Sequence, residues 1–193
     1  MFMRMVYDEK LAQAAYVIGC QRTGEAIVID PERDVDRYID LARANGLRIV
    51  ATAETHIHAD FVSGSRELAE RVGGRVYVSD EGDADWKYQW LDQKLGGGSY
   101  DHRLLKDGDT FAVGNIEFRV VHTPGHSDDS VSLVLDSGEC FTGDLTMERM
   151  VGAEDPQVVA ASWARLRALG ARTVHAGHGR TYAMPAPLAA SET

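Results

Sequence analysis

Apolar and polar positions along this chain form short blocks that predict strands and helices in alternation. The apolar run from Leu47 to Ala53 predicts a buried strand. The stretch from Val35 to Ala44 carries apolar residues at helical spacing and is followed by Gly46, which predicts a helix that ends there. Further helices are predicted for residues 63–72 and 156–169, single strands for 75–79 and 173–175, and hairpins that turn at residues 23–24, 114–115 and 136–138.

Two stretches depart from this pattern. Residues 80–106 are polar and carry aromatic residues at alternating positions 86, 88 and 90, so we expect mostly loop that lines a site or covers the core. Asp30 precedes Pro31 and is expected to cap the start of the next helix. Residues 185–193 are expected to fray, which leaves one predicted domain over residues 1–184.

Composition excludes several classes of function. The chain has 193 residues, of which 44% are apolar, as expected for one globular domain. Its net charge of −10 disfavours binding to nucleic acid. No apolar run is long enough to span a bilayer, and the first residues lack the pattern of a signal peptide. With two cysteines and no secretory signal, we expect a reducing compartment, the cytoplasm, and no disulfide framework.

The densest group of candidate metal ligands directly follows the strand that ends at Ala53. Residues two apart in an extended segment point the same way, so His56 and His58 can face one metal ion. Asp60 extends the same face. The next residue is Phe61, whose side chain cannot ligate a metal. We therefore predict one metal ion at this loop rather than two.

Further candidate ligands occur where strands end in the second half of the chain. His122 ends one predicted strand, Asp144 follows another, and His178 follows the last. If these strands lie side by side in two packed sheets, the loops that follow them converge at one edge. His126, in the turn after His122, is expected to tie down its own loop.

Four motifs in this order together resemble the metallo-β-lactamase superfamily. They are His-x-His-x-Asp from His56, His-Thr-Pro-Gly-His from His122, Thr-Gly-Asp from Thr142 and Gly-His-Gly from Gly177. The resemblance implies an α/β fold, an αββα sandwich with the metal at the edge between its sheets. Residues 12–20, 24–31 and 54–64 resemble the persulfide dioxygenases more closely, especially bacterial ones in which this domain is fused to a rhodanese.

The persulfide dioxygenase resemblance implies one Fe²⁺ per chain, held by His56, His122 and Asp144. Two imidazoles and one carboxylate leave open positions on iron for a thiolate-like substrate and dioxygen. The implied reaction oxidises the outer sulfur of glutathione persulfide, or of a similar small persulfide, to sulfite. His58 would then be a hydrogen-bonding neighbour, and Asp60 would orient a ligating histidine.

The chain also departs from the pattern of that family. Where the family carries Gly-Arg-x-Asp after its aspartate ligand, this sequence reads Gly-Ala-Glu-Asp, so Ala153 stands in the place of the arginine. Arg149 is a substitute candidate for substrate binding. The sequence shows no rhodanese segment, so a separate rhodanese is one partner hypothesis. A homodimer is another.

A zinc metallohydrolase is the alternative hypothesis, with thioesters or lactones as substrates in the manner of glyoxalase II. A zinc-bound water would be its nucleophile. Such enzymes often hold a second metal through the equivalents of Asp60, Asp144, His178 and a histidine at the position of Phe61. A mononuclear zinc site of His56, His58 and His122 is the form of this hypothesis that Phe61 permits.

Overall fold

The structure is a computed structural model that describes residues 1–88, 100–146 and 155–186. Its strands form two six-stranded sheets. The first sheet has the order β1 to β6 and consists of β1 (Phe2–Asp8), β2 (Gln13–Cys20), β3 (Glu25–Ile29), β4 (Arg48–Ala53), β5 (Arg75–Ser79) and β6 (His102–Leu105). The second has the order β12 to β7 and consists of β7 (Thr110–Val113), β8 (Ile116–His122), β9 (Val131–Leu135), β10 (Glu139–Gly143), β11 (Thr173–Ala176) and β12 (Tyr182–Ala183).

Three described helices cover the outer faces of the sheets. Helices α1 (Asp36–Ala44) and α2 (Ser65–Val72) pack on the first sheet, where Tyr38 and Leu68 are fully buried. Helix α3 (Pro156–Ala168) packs on the second sheet through Trp163 and Leu166. Among the described residues, no helix is both long enough and apolar enough to cross a bilayer.

The main core lies between the two sheets. Apolar side chains from both inner faces meet there, including Ile18, Ile29, Phe118, Leu133 and Phe141, all buried. Burying one such side chain contributes about 1.5–3 kcal/mol to folding. The layers are therefore helix, sheet, sheet and helix, and the predicted αββα sandwich is confirmed.

Strand direction brings the candidate ligands to one edge of the sandwich. Strands β3, β4 and β5 run parallel in the first sheet, as do β10 and β11 in the second. The backbone N–H of Ala14 donates to the carbonyl of Gly177, and the N–H of Gly177 donates to the carbonyl of Gly143. These bonds tie the loop after β11 to both sheets.

The structure differs from the sequence prediction at several elements. Strands β1, β6 and β12 were not predicted. Residues 80–106 were expected to be mostly loop, and this prediction is wrong for the part that forms β6. The prediction that Asp30 caps a helix is also wrong. Helix α1 begins after Val35 without any side-chain cap, and the carboxylate of Asp30 is bonded elsewhere. The frayed tail and the domain boundary at residue 184 stay predictions.

Candidate metal centre

Two histidines and one aspartate converge at the edge between the sheets. The ligand-type atoms of His56, His126 and Asp144 all lie within 4.8 Å of one another. The Nε2 atoms of both histidines lie 3.7 Å from Oδ2 of Asp144. His56 and Asp144 are buried, whereas His126 reaches the surface. This group has the composition and spacing of a metal site that is open to solvent on one side.

His56 is the most enclosed member of the group. Its Nε2 atom is buried and has no hydrogen-bond partner in the structure. Burial and then the neighbouring His58 lower the pKa of His56 to about 3. A neutral imidazole with an unsatisfied nitrogen suits metal ligation, because a metal ion would supply the missing partner.

Backbone bonds fix the loop that carries His56. The carboxylate of Asp129 accepts from the N–H of Ile57 at 2.8 Å. The carbonyl of Thr55 accepts from the N–H of Val131 at 2.8 Å. The loop after β4 is thereby bonded to the segment that begins β9, so the two sheets hold it from both sides.

His122 does not join this group. Its Nε2 donates to the carbonyl of Asp128 at 2.8 Å, and its backbone is held by Asp107 and Arg165. His126, which we expected to tie down its own loop, instead brings Nε2 toward Asp144. Three residues separate the two histidines, and Gly125 directly before His126 has a φ of +148°. The geometry therefore favours His126 over His122 as the ligand from this motif.

Two glycines allow Asp144 to reach the group. A Cβ atom on Gly177 would lie 2.4 Å from Oδ1 of Asp144, and one on Gly143 would lie 2.3 Å from Oγ1 of Thr55. Gly143 also has a φ of +50°, a conformation that residues with side chains rarely adopt. Close packing around the candidate ligands therefore explains Gly143 of the Thr-Gly-Asp motif and Gly177, the first glycine of Gly-His-Gly.

Asp144 also belongs to a second group. Nε2 of His178 lies 3.2 Å from Oδ2 of Asp144 and 3.1 Å from Oδ2 of Asp60, and the three residues form another potential ligand set. Nδ1 of His178 donates to the carbonyl of Ala12. The hydrogen bond to Asp144 raises the pKa of His178 to about 9, against the opposing effect of burial. Burial disfavours the charge of Asp144, but the bond from His178 and the nearby histidines hold its pKa below 3.8.

Phe61 directly follows Asp60 of this second group, at the position where the hydrolase hypothesis expects a histidine. Its ring lies over the ring of His58, with the centroids 4.3 Å apart and the planes 38° from parallel. The side chain therefore adds an apolar contact and no ligand. The second group retains three donors, and the prediction of a single metal ion stays a prediction.

His58 turns away from the first group toward two buried carboxylates. Its Nε2 lies 3.2 Å from Oδ1 of Asp30 and 3.0 Å from Oε2 of Glu54. Burial disfavours the charged ring, but Asp30 and then Glu54 raise the pKa of His58 well above its ordinary value. Glu54 also accepts a short hydrogen bond from the hydroxyl of Ser63. The two carboxylates therefore favour the charged form of His58, and Asp60 lies 4.0 Å from its Nδ1. The role of His58 as a hydrogen-bonding neighbour stays a prediction.

A cavity of about 670 Å³ opens beside the ligand loop. His56, His58 and Phe61 line it, together with Arg33 and Arg66. Within the described part of the chain, neither arginine forms an ion pair with a carboxylate; the guanidinium of Arg66 instead lies 6.0 Å from the ring centre of Tyr100. The wall also carries Lys87, which pairs with Asp80, and the acidic residues Glu54, Glu67 and Asp85, so the two arginines are its cationic groups without a carboxylate partner among the described residues.

The sequence analysis did not identify Asp30 and Glu54 as residues of the site. It also gave His126 only the role of holding its own loop in place. The signal for Asp30 was its position at the end of β3, the same strand-end rule that identified His56. Arg149 and Ala153, on which substrate recognition was argued, lie outside the described residues, as does Trp90.

A sequence model of the metallo-beta-lactamase superfamily matches residues 9–178. The chain belongs to this superfamily. The mitochondrial persulfide dioxygenase ETHE1 of Bos taurus is 29% identical over 157 residues, which are 80% of this chain and 56% of that protein. A hydroxyacylglutathione hydrolase of Nitrosococcus oceani is 30% identical over 161 residues, again 80% of this chain and 56% of that protein.

A solved metallo-beta-lactamase from Staphylococcus aureus has the same architecture. It superposes with a TM-score of 0.80 at 34% identity, over 95% of this chain and 59% of that chain. The curated relatives above are longer, and this chain spans about half of each. The superfamily consists mostly of metal-dependent enzymes, and the groups of histidine and aspartate found here fit that membership.

Proposed function

We propose that the protein is an iron-dependent persulfide dioxygenase that binds one Fe²⁺ per chain through His56, His126 and Asp144. The observation that carries the proposal is the convergence of two imidazoles and one carboxylate, with ligand atoms within 4.8 Å of one another. This donor set is the one that non-haem Fe(II) oxygenases use, and it leaves positions open for substrate and dioxygen. The similarity to persulfide dioxygenase ETHE1 supports the same reaction.

The position of His58 favours iron over a three-histidine zinc site. A zinc hydrolase of the mononuclear kind would need His58 as a neutral third imidazole. In the structure, Nε2 of His58 lies within 3.2 Å of two buried carboxylates, which stabilise the charged ring. A protonated imidazole has no lone pair for a metal. His58 therefore supports the site as a neighbour and leaves a set of two histidines and one aspartate.

The proposed reaction converts a thiol persulfide, dioxygen and water into the free thiol, sulfite and two protons. The outer sulfur is oxidised, the bond between the two sulfurs breaks, and dioxygen is reduced. Bound iron would supply the activation of dioxygen. The residues of the chain supply the rest: His178 holds the Asp144 carboxylate at 3.2 Å, and the apolar ring of Phe61 covers His58.

The substrate is proposed to be glutathione persulfide or a related small persulfide. Arg33 and Arg66 line the cavity next to His56 and offer charges to the carboxylates of such a thiol. Guanidinium groups bind carboxylates through charge-assisted hydrogen bonds. Arg149 stays a candidate for the same task.

Replacement of Asp144 by alanine tests the proposal. The Asp144→Ala variant should lose both bound iron and persulfide-dependent oxygen uptake, because it removes the only carboxylate of the set. Asp136→Ala, at an exposed turn of the second sheet, is the matched control and should retain both. An Asp144→Ala variant that keeps its iron and its activity would overturn the proposal.

A zinc hydrolase is the second candidate, and the group of Asp60, Asp144 and His178 is the observation that favours it. The hydroxyacylglutathione hydrolase of Nitrosococcus oceani supports the same alternative. Zinc-loaded protein that hydrolyses thioesters or lactones, and iron-loaded protein that consumes no oxygen with persulfide, would favour this candidate over the dioxygenase.

A further inference from the structure

The hydrogen bonds behind His56 lead to a buried carboxylate. Nδ1 of His56 lies 3.0 Å from the hydroxyl oxygen of Thr55. The hydroxyl of Thr55 donates to Oδ2 of Asp30 at 2.7 Å, and the backbone N–H of Thr55 donates to Oδ1 of Asp30, also at 2.7 Å. All three residues are at most 2% exposed. Asp30, Thr55 and His56 therefore form one continuous series of hydrogen bonds that is shielded from solvent.

The number of protons available to these hydrogen bonds determines which group donates in each of them. A threonine hydroxyl has a single proton, and a carboxylate is a stronger acceptor than a neutral imidazole nitrogen. Thr55 donates that proton to Asp30, so its oxygen is left to accept. The hydrogen bond at 3.0 Å therefore requires the proton to be on Nδ1 of His56. This tautomer leaves the lone pair of Nε2 directed at Asp144 and His126.

We propose that Asp30 and Thr55 are positioning residues that set the tautomer and ring orientation of His56 for metal binding. The inference rests on the proposed role of His56 as a ligand, and it is independent of which reaction the metal supports. Outer hydrogen-bond partners of ligating histidines typically change metal affinity by about 10–100-fold when they are removed. Neither residue touches the metal ligand atom itself.

The surrounding backbone holds Asp30, Thr55 and His56 in this arrangement. Asp30 has a φ of +49°, a conformation that residues other than glycine rarely adopt and that directs its carboxylate at Thr55. Gly143 packs directly against the junction, because a Cβ there would lie 2.3 Å from Oγ1 of Thr55 and 3.1 Å from Nδ1 of His56. The contact between Thr55 and His56 is thus covered from the side of Asp144.

Substitutions at Thr55 test the role of the hydroxyl. Thr55→Val keeps the shape and removes the acceptor, whereas Thr55→Ser keeps the acceptor. In metal-free protein, ¹⁵N NMR of the histidine rings should show His56 protonated on Nδ1 in the wild type and in Thr55→Ser. In Thr55→Val that single tautomer should be lost. Titration with Co²⁺ should show affinity weakened by about 10–100-fold in Thr55→Val and nearly unchanged in Thr55→Ser.

Asp30→Asn provides a second variant of almost the same shape. The N–H of Thr55 needs an acceptor, so the amide oxygen should take the place of Oδ1 and the amide nitrogen that of Oδ2. The amide would then donate to Thr55, whose own proton would turn to Nδ1 of His56. The expected result is a reversed tautomer, with the proton on Nε2, and Co²⁺ affinity weakened at least as much as in Thr55→Val.

The possible outcomes separate this inference from the proposed function. Retention of the Nδ1-protonated ring and of wild-type Co²⁺ affinity in Thr55→Val would overturn it. Should Thr55→Val fail to fold, Asp30→Asn decides by the same two measurements, and an unchanged tautomer there would contradict it equally. Neither measurement uses dioxygenase activity, so a protein inactive toward persulfides would refute the function while leaving this inference to stand or fall on its own.

Discussion

Nε2 of His126 lies 3.7 Å from Oδ2 of Asp144, on the same carboxylate oxygen that His56 approaches at 3.7 Å. His122, four residues earlier in the same motif, instead donates from Nε2 to the carbonyl of Asp128. The geometry thus distinguishes the two histidines of His-Thr-Pro-Gly-His, one as a ligand candidate and the other as a structural residue.

The first prediction follows from this difference. His126→Ala should lose most of its bound iron, with affinity falling by more than the ~100-fold upper range for losing a supporting residue. His122→Ala should retain its iron, because its ring is bonded within its own loop. Iron content after anaerobic purification measures both. The reverse result, with iron lost only from His122→Ala, would show that His122 and not His126 is the ligand from this motif.

The second prediction concerns Phe61 and the number of metal ions. Asp60, which precedes Phe61 in the sequence, already forms a set of three donors with Asp144 and His178. Phe61→His should add a fourth and raise metal content from one toward two ions per chain, as measured by elemental analysis. Phe61→Leu, which adds no ligand, is the control and should stay at one. If Phe61→His also stays at one, loss of the second ion has causes beyond this residue.

The third prediction concerns the buried ion cluster around His58. Glu54 is 1% exposed and lies 3.0 Å from Nε2 of His58. Glu54→Gln should lower the free energy of unfolding of metal-free protein by about 3 kcal/mol, because it leaves a buried cation with one partner fewer. Urea unfolding at neutral pH measures this. Glu67→Gln, on the exposed side of helix α2, should change the value by less than about 0.5 kcal/mol. Equal stability of Glu54→Gln and wild type would show that His58 is not charged.

The fourth prediction gives a pH dependence. Burial disfavours the charge of Asp107, but the backbone N–H of His122 and the guanidinium of Arg165 hold its pKa below 3.8. Because the pKa is lower in the folded state than in the unfolded state, the stabilisation is present above the unfolded value. It is lost as the pH falls through the folded value. Both side chains are more than 40% exposed, so the pair contributes only about 0.5–1 kcal/mol.

Asp107→Asn should therefore be less stable than wild type at neutral pH and nearly equal to it in acid. The measurement is urea unfolding at about pH 7 and about pH 3, with Asp136→Asn as an exposed control. A stability difference that is the same at both pH values would mean that Asp107 acts through its shape and not through its charge.

The sequence predicted the edge at which the candidate site lies, because strand ends can be recognised from the local pattern of residues. His56, Asp144 and His178 each follow a strand, and parallel neighbours bring such positions to one edge of a sheet. The fold was predictable for the same reason, since the buried strands are continuous apolar runs. Strand β1 lies at a sheet edge and β6 lies in a polar stretch, so neither shows that signal.

The direction of individual side chains was not predictable in this way. His122 and His126 are separated by a tight turn, and only the packing of that turn on the sheet edge decides which ring reaches Asp144. Asp30 looked like a helix cap because it precedes Pro31. Its position at the end of β3 indicated that it lies at the sheet edge, but its bonds to Thr55 connect residues 25 positions apart and required the packed structure.

Iron content and oxygen consumption of the same anaerobically purified protein test the central claim most directly. We predict about one iron per chain and oxygen uptake that begins on addition of glutathione persulfide and yields sulfite. Protein that carries zinc, and that consumes no oxygen with persulfide after reconstitution with Fe²⁺, would contradict the account and favour the hydrolase.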